Sequence, residues 1–225
     1  MNTKAVVPGQ RGEDPRFLLV FVTGLLVFVA DFVTKWVAVR ELAMAPGLDG
    51  GLLAFMFPSG DYGRELLESH VRRVPVIPGL FDWFLQYNQG GAFSLLNDYP
   101  LVITIVSVAA IVWIYLWSRR ISPEHYHVHI VFGLILGGAL GNLADRLRFR
   151  HVVDFIHFYH HDWYWPTFNV ADMAICCGIA VFVYLSLFTK SLDSAAPPGV
   201  AESPKASSDG GDKPVSEYAI TENVE

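Results

Sequence analysis

Charge is what this chain has little of. Of 225 residues, 17% are Asp, Glu, Lys or Arg, while 52% are hydrophobic. Ordinary soluble domains carry about 25% charged residues, so a water-soluble globular domain is excluded. The formal net charge of -6 is concentrated at one end. Residues 190–225 hold seven acidic residues and three lysines, which leaves -2 for everything before them. No basic stripe occurs, which removes nucleic acid as a partner. Cysteine is scarce as well. Cys176 and Cys177 are adjacent inside an apolar run. A disulfide framework is excluded, and two buried thiols are predicted. No internal repeat is visible.

What the chain does have is membrane-length apolar segments. Crossing a hydrocarbon core of ~30 Å takes about 20 apolar residues. Four segments qualify: Phe17 to about Val39, Tyr99–Ser118, about His127–Leu147, and about Asn169–Thr189. The first could be read as a cleavable leader ending at Ala43-Met44-Ala45. It runs on through Asp31 and Lys35 instead, and Pro46 follows the apparent cut, so an uncleaved span is expected.

Basic residues near the span ends set the expected orientation. Lys4, Arg11 and Arg16 precede the first span, Arg119 and Arg120 join the second and third, and Lys190 follows the fourth. These positions belong in the cytoplasm, so both termini are expected inside. Arg40, Arg64, Arg72, Arg73, Arg148 and Arg150 compete from the other side. The organisation that follows is a cytoplasmic segment 1–16, a four-span domain 17–189, and a disordered acidic tail 190–225.

The outer side then receives two loops, about 40–98 and about 148–168. The first has a Gly/Pro-rich stretch, Ala45–Gly63, and short alternating pieces around Val74–Phe81 that could form a small sheet. The second is crowded with Phe155, Phe158, Tyr159, Trp163, Tyr164 and Trp165. Such aromatics favour the membrane–water interface. They read as an anchor, as a guide over a site, or as both. The fold class expected is an all-α membrane protein: four transmembrane helices with a small β or irregular element on the outer face.

Polar residues from separate spans gather at one depth. At 1.5 Å per residue, Asp31 lies roughly 21 Å and Lys35 roughly 27 Å along the first span. The third span ends with Asn142, Asp145 and Arg146, and the fourth opens with Asn169 and Asp172. Asp154 and Asn88 sit in the adjoining loops. Asp31 and Lys35 are four apart and can pair. Asn142, Asp145 and Arg146 share one helical face. Gly133, Gly137, Gly138 and Gly141 allow close helix approach.

Ionisable groups at membrane depth are candidate functional sites. Two carboxyls that converge, Asp154 and Asp172, suggest acid–base chemistry on a shared proton. Plainer readings stand beside this one. Asp31–Lys35 can be a neutralising structural pair. Arg146 can pair with Asp145 or reach toward headgroups. Asp172 can cap the last span, and Asp154 can be solvated. His157, His160 and His161, and separately His125, His127 and His129, match no specific metal motif.

The motifs together resemble lipoprotein signal peptidase (signal peptidase II). They are Asp31-x-x-x-Lys35, Asn88-Gln89-Gly90-Gly91-Ala92-Phe93-Ser94, Gly137-Gly138-Ala139-Leu140-Gly141-Asn142-Leu143-Ala144-Asp145-Arg146, Val152-Val153-Asp154-Phe155, and Phe168-Asn169-Val170-Ala171-Asp172. Their order on a four-span chain, across about residues 17–189, is specific.

The resemblance implies an aspartyl endopeptidase of the bacterial inner membrane. Such an enzyme removes the signal peptide from diacylglyceryl-modified prolipoproteins, cutting just before the lipidated cysteine. Asp154 and Asp172 would be the catalytic pair. Asn88, Gly90, Asn142, Arg146 and Asn169 would line the substrate or support the pair, and Asp31, Lys35 and Asp145 would be structural neighbours. No metal or other cofactor is implied. Membrane lipids and a globomycin-type inhibitor are the further partners implied. The stretch about 42–73 looks longer than is typical of the family, and the acidic tail looks like an addition.

Two other classes compete. A proton-coupled carrier would also use membrane acids and a lysine, but it would place them near the midplane and often show repeats. A non-catalytic scaffold gives no reason for two aspartates with three asparagines.

Overall fold

The computed structural model describes residues 15–44, 51–58, 60, 62–88, 100–121 and 125–188. The motif residues Gln89 to Ser94, Gly90 among them, and the acidic tail lie outside these. Among the described residues, four helices are long and apolar enough to cross a membrane. They are α1 (Pro15–Leu42), α4 (Pro100–Ser118), α5 (Tyr126–Phe149) and α6 (Val170–Phe188). Each corresponds to one expected span, with ends shifted by at most three residues. Outward faces stay apolar: Leu26, Leu101 and Leu187 are 65–71% exposed. Such surface suits lipid, where helices satisfy their own backbone.

Helix α5 is the hub, packed against α1, α4 and α6. Small residues set those distances. A Cβ on Gly137 would lie 2.5 Å from the Gly24 carbonyl oxygen, and one on Gly133 would lie 2.6 Å from Thr23 Cβ. On the α6 side, a Cβ on Gly138 would lie 2.4 Å from the Ala171 carbonyl oxygen. The glycines let backbones meet where any side chain would hold them apart.

At the end where α1 and α5 finish and α6 begins, the loops are structured. Strands β1 (Ala43–Met44) and β2 (His70–Val71) form a two-stranded ladder. It closes an excursion that carries short helices α2 (Gly51–Met56) and α3 (Tyr62–Glu68). Beyond it, β3 (Arg73–Ile77), β4 (Phe81–Asn88), β5 (Val152–His160) and β6 (Trp163–Tyr164) make a four-stranded antiparallel sheet in that order. The small sheet expected from the first loop is therefore built half from the second. Residues 152–156 are buried without alternation, because that half of β5 is covered on both faces.

One expectation fails. Cys176 and Cys177 are both exposed. The face α6 buries runs through Ala171, Ala174 and Gly178, and the cysteines fall outside that stripe. An apolar run in a span does not distinguish the packed face from the lipid face.

Candidate active site

Five elements converge on one cluster: α1 brings Asp31 and Lys35, β4 Asn88, α5 Asn142, Asp145 and Arg146, β5 Asp154, and α6 Asp172, preceded by Asn169. Asp31, Lys35, Asn142, Asp145, Asp154 and Asn169 are buried.

The start of α6 is a reciprocal cap. Asp172 N–H donates to Asn169 Oδ1 at 3.0 Å. Asn169 N–H donates to Asp172 Oδ2 at 3.2 Å. This is a capping box with Asn in the first position and Asp in the fourth. The next donor, Ala171 N–H, reaches Asp31 Oδ1 at 2.9 Å. Three backbone N–H donors, each met by a side-chain oxygen, therefore fix the first turn, and with it Asp172.

Lys35 organises the layer beneath. Its ammonium has three hydrogens and three acceptors: Asp31 Oδ2 at 2.8 Å, Asp145 Oδ2 at 2.8 Å and Asn142 Oδ1 at 3.0 Å. Lysine only donates, so the Asn142 oxygen must face it and the amide cannot flip. The Asn142 Nδ2 group is thereby turned to Asp172 Oδ1, at 2.8 Å. Asn169 is fixed by the same logic. Its Oδ1 accepts from the Asp172 backbone, so its Nδ2 faces Asp154 Oδ1 at 2.6 Å. Asn88 Nδ2 donates to the other oxygen, Asp154 Oδ2, at 3.1 Å. One asparagine, Asn169, thus holds both carboxylates.

Asp154 is 2% exposed. Burial first, and the Asp172 charge second, hold its carboxyl far above the usual carboxylate range, at about 8. Hydrogen bonds from Asn88 and Asn169 pull the other way and lose. Arg146 lies within electrostatic reach of both aspartates, and its Nη1 donates to the Asn142 carbonyl oxygen at 3.4 Å. Asp145 pairs with Lys35 and Arg148 rather than with Arg146.

Arg148 was read from sequence only as a competing orientation charge. Its i,i+3 spacing to Asp145 was the available signal. The loop histidines are engaged locally: His157 Nδ1 lies 3.2 Å from Thr167 Oγ1, and His160 Nδ1 lies 3.4 Å from the Gly79 carbonyl oxygen.

The chain is similar to known proteins. Residues 23–188 match the family model of signal peptidase (SPase) II. A lipoprotein signal peptidase of Pseudomonas aeruginosa is 40% identical over 184 residues, covering 78% of this chain and 90% of that one. One from Francisella tularensis subsp. mediasiatica is 35% identical over 176 residues, covering 76% and 92%. One from Nitratidesulfovibrio vulgaris is 44% identical over 119 residues, covering 51% and 72%. Two solved structures described as bacterial membrane enzymes share the fold. The first has a TM-score of 0.58 at 21% identity, covering 75% of this chain and 87% of that one. The second has 0.55 at 20%, covering 76% and 93%. The chain belongs to the signal peptidase II family and is a multi-pass membrane peptidase of bacterial type.

Proposed function

We propose that this peptidase removes the signal peptide from diacylglyceryl-modified prolipoproteins, cutting just before the lipidated cysteine, with Asp154 and Asp172 as its catalytic pair. The observation that carries the reading is the shared asparagine. Asn169 binds Asp154 through its side chain and Asp172 through its backbone, which brings two carboxyls to one place where they hold one proton.

Asp172 sits at the positive end of the α6 dipole and carries the charge. Asp154 carries the proton. Water attacks the scissile carbonyl carbon while Asp172 takes a proton from it and Asp154 gives its proton to the carbonyl oxygen. The gem-diol then returns one hydroxyl proton to Asp154. Asp172 passes its proton to the departing cysteine nitrogen as the C–N bond breaks, and the pair is restored. Asn88 and Arg146, beside the pair, would engage the extended peptide, whose polar groups lipid leaves unsatisfied.

The basic residues flanking the spans support a placement with both termini in the cytoplasm and the pair at the outer face. That is where a lipid-anchored substrate presents its cleavage site. A globomycin-type cyclic peptide would compete there.

The test is purified enzyme in detergent with a diacylglyceryl-modified prolipoprotein, the products weighed by mass spectrometry. Cleavage directly before the modified cysteine is expected, blocked by globomycin. A cut elsewhere, or equal cleavage of the unmodified precursor, would remove the substrate assignment.

A further inference from the structure

Arg148 has no part in the chemistry above, yet it is the most heavily engaged cation at this end of the described bundle. Its side chain is 15% exposed. Its guanidinium carbon lies 4.9 Å from the Phe32 ring centroid, 5.0 Å from that of Phe55 and 4.7 Å from that of Phe149. All three of its nitrogens have partners. Nε donates to the Ala144 carbonyl oxygen at 3.1 Å, Nη1 to the Phe55 carbonyl oxygen at 3.1 Å, and Nη2 to Asp145 Oδ1 at 2.5 Å.

The two ends of this bridge belong to different parts of the molecule. Phe55 is on α2, inside the excursion closed by β1 and β2. That excursion is seated by Phe55, Tyr62 and Leu66, all buried in one core with Phe149. Asp145 is under the site. Its second oxygen, Oδ2, accepts from Val153 N–H at 3.2 Å and from Lys35 at 2.8 Å. Val153 directly precedes Asp154. Lys35 turns Asn142 toward Asp172. Both aspartates therefore hang on the Asp145 carboxylate, and Arg148 holds it from the other side.

Building on the peptidase reading, we propose that Arg148 is a positioning residue, coupling the seating of the α2 segment to the alignment of Asp154 and Asp172 through Asp145. The excursion that carries α2 thus acts as a brace for the catalytic pair. A role limited to neutralising Asp145 makes a different prediction. Lysine at 148 would then serve as well as arginine, and α2 would not matter.

The full chain in detergent would be compared as wild type, Arg148→Lys, Arg148→Met, Phe55→Ala and the double variant Arg148→Met with Phe55→Ala. Two readouts are taken: hydrogen exchange of the segment 150–156, which needs no substrate, and kcat with KM on the prolipoprotein. Arg148→Met and Phe55→Ala are each expected to speed exchange at Val153 and lower kcat tenfold or more, with KM within threefold. Arg148→Lys should fall between Arg148→Met and wild type. The double variant should be no worse than the poorer single one, because both changes cut the same path.

Multiplying effects in the double variant, wild-type behaviour of Arg148→Lys, or unchanged exchange and kcat in Phe55→Ala would each overturn the coupling. If Arg148→Met does not fold, the other two single variants still decide. An inactive wild type would sink the peptidase reading, while exchange would still report on the bridge.

Discussion

Lys35 shows how one buried charge can be made useful. Stripping a cation of water costs several kcal/mol unless every donor is met, and here all three are. Asp31, Lys35, Asp145 and Arg148 together cancel, so this layer orients the aspartate pair without adding net charge. Lys35→Met should leave one buried carboxylate charge uncompensated, since Arg148 still pairs with Asp145, and cost about 3–5 kcal/mol, read as a large drop in melting temperature in detergent.

The titration of two buried residues gives a second test. Asp154 keeps its proton up to about 8 in the folded chain, against about 4 unfolded. The folded state therefore binds the extra proton, and stability falls as pH rises through that interval. Burial lowers the His151 ring to about 4, so the unfolded chain binds the extra proton below about 6.5. Stability from that source falls as pH drops. The two slopes oppose between about 4 and 6.5. From 6.5 to 8 only the Asp154 slope remains, and melting temperature should decline with pH. Asp154→Asn should flatten that decline. Turnover should fall above pH 8 as the shared proton is lost.

Sequence spacing was enough to pair Asp31 with Lys35. It could not show that Asp145 turns to Lys35 and Arg148 while its neighbour Arg146 lies within electrostatic reach of the aspartates, because that depends on how α5 is rotated.

Among the elements, α6 is the one whose first turn is also part of the site. The capping signal was legible, and the reciprocal partner Asn169 lies at the expected spacing. Capping and the candidate catalytic role fall on the same carboxyl, so they were not alternatives. The contact with α5 is as tight. Gly138→Ala would put a Cβ 2.4 Å from the Ala171 backbone oxygen, and Gly141→Ala one 2.5 Å from Asp31 Oδ2. Neither backbone nor a fixed carboxylate can move aside cheaply. Each variant should cost about 1–3 kcal/mol and lower kcat, Gly138→Ala by shifting α6 away from Asn142 and Gly141→Ala by displacing the Asp31 carboxylate that holds Ala171 N–H, checked by melting and turnover together.

Strand β5 was the least legible element. Its aromatic content suggested an interfacial loop, and its partner β4 lies more than sixty residues earlier. A pairing of that separation leaves no local signature. Helices α2 and α3 were missed because Gly and Pro dominate the segment around them, while their stability comes from seating on Phe149.

At the scale of the whole molecule, hydropathy carried most of the architecture. Four spans were visible because a chain without water must satisfy its backbone within helices, and the gathering of polar residues at one depth was legible as a candidate site. Which span faces turn to lipid was not visible, as Cys176 and Cys177 show. Flanking basic charge predicts that both termini lie inside. A reporter active only outside the cytoplasm, fused after Lys190, should be silent, and the same reporter placed in the 45–63 excursion should be active. The reverse pattern would invert the molecule.

The most direct measurement is single-turnover cleavage of a diacylglyceryl-modified prolipoprotein by Asp154→Asn and Asp172→Asn beside wild type, each shown to be folded by its melting transition. Both variants should lose turnover by about a thousandfold or more while melting cooperatively. Near wild-type cleavage by either one would contradict the two-aspartate account.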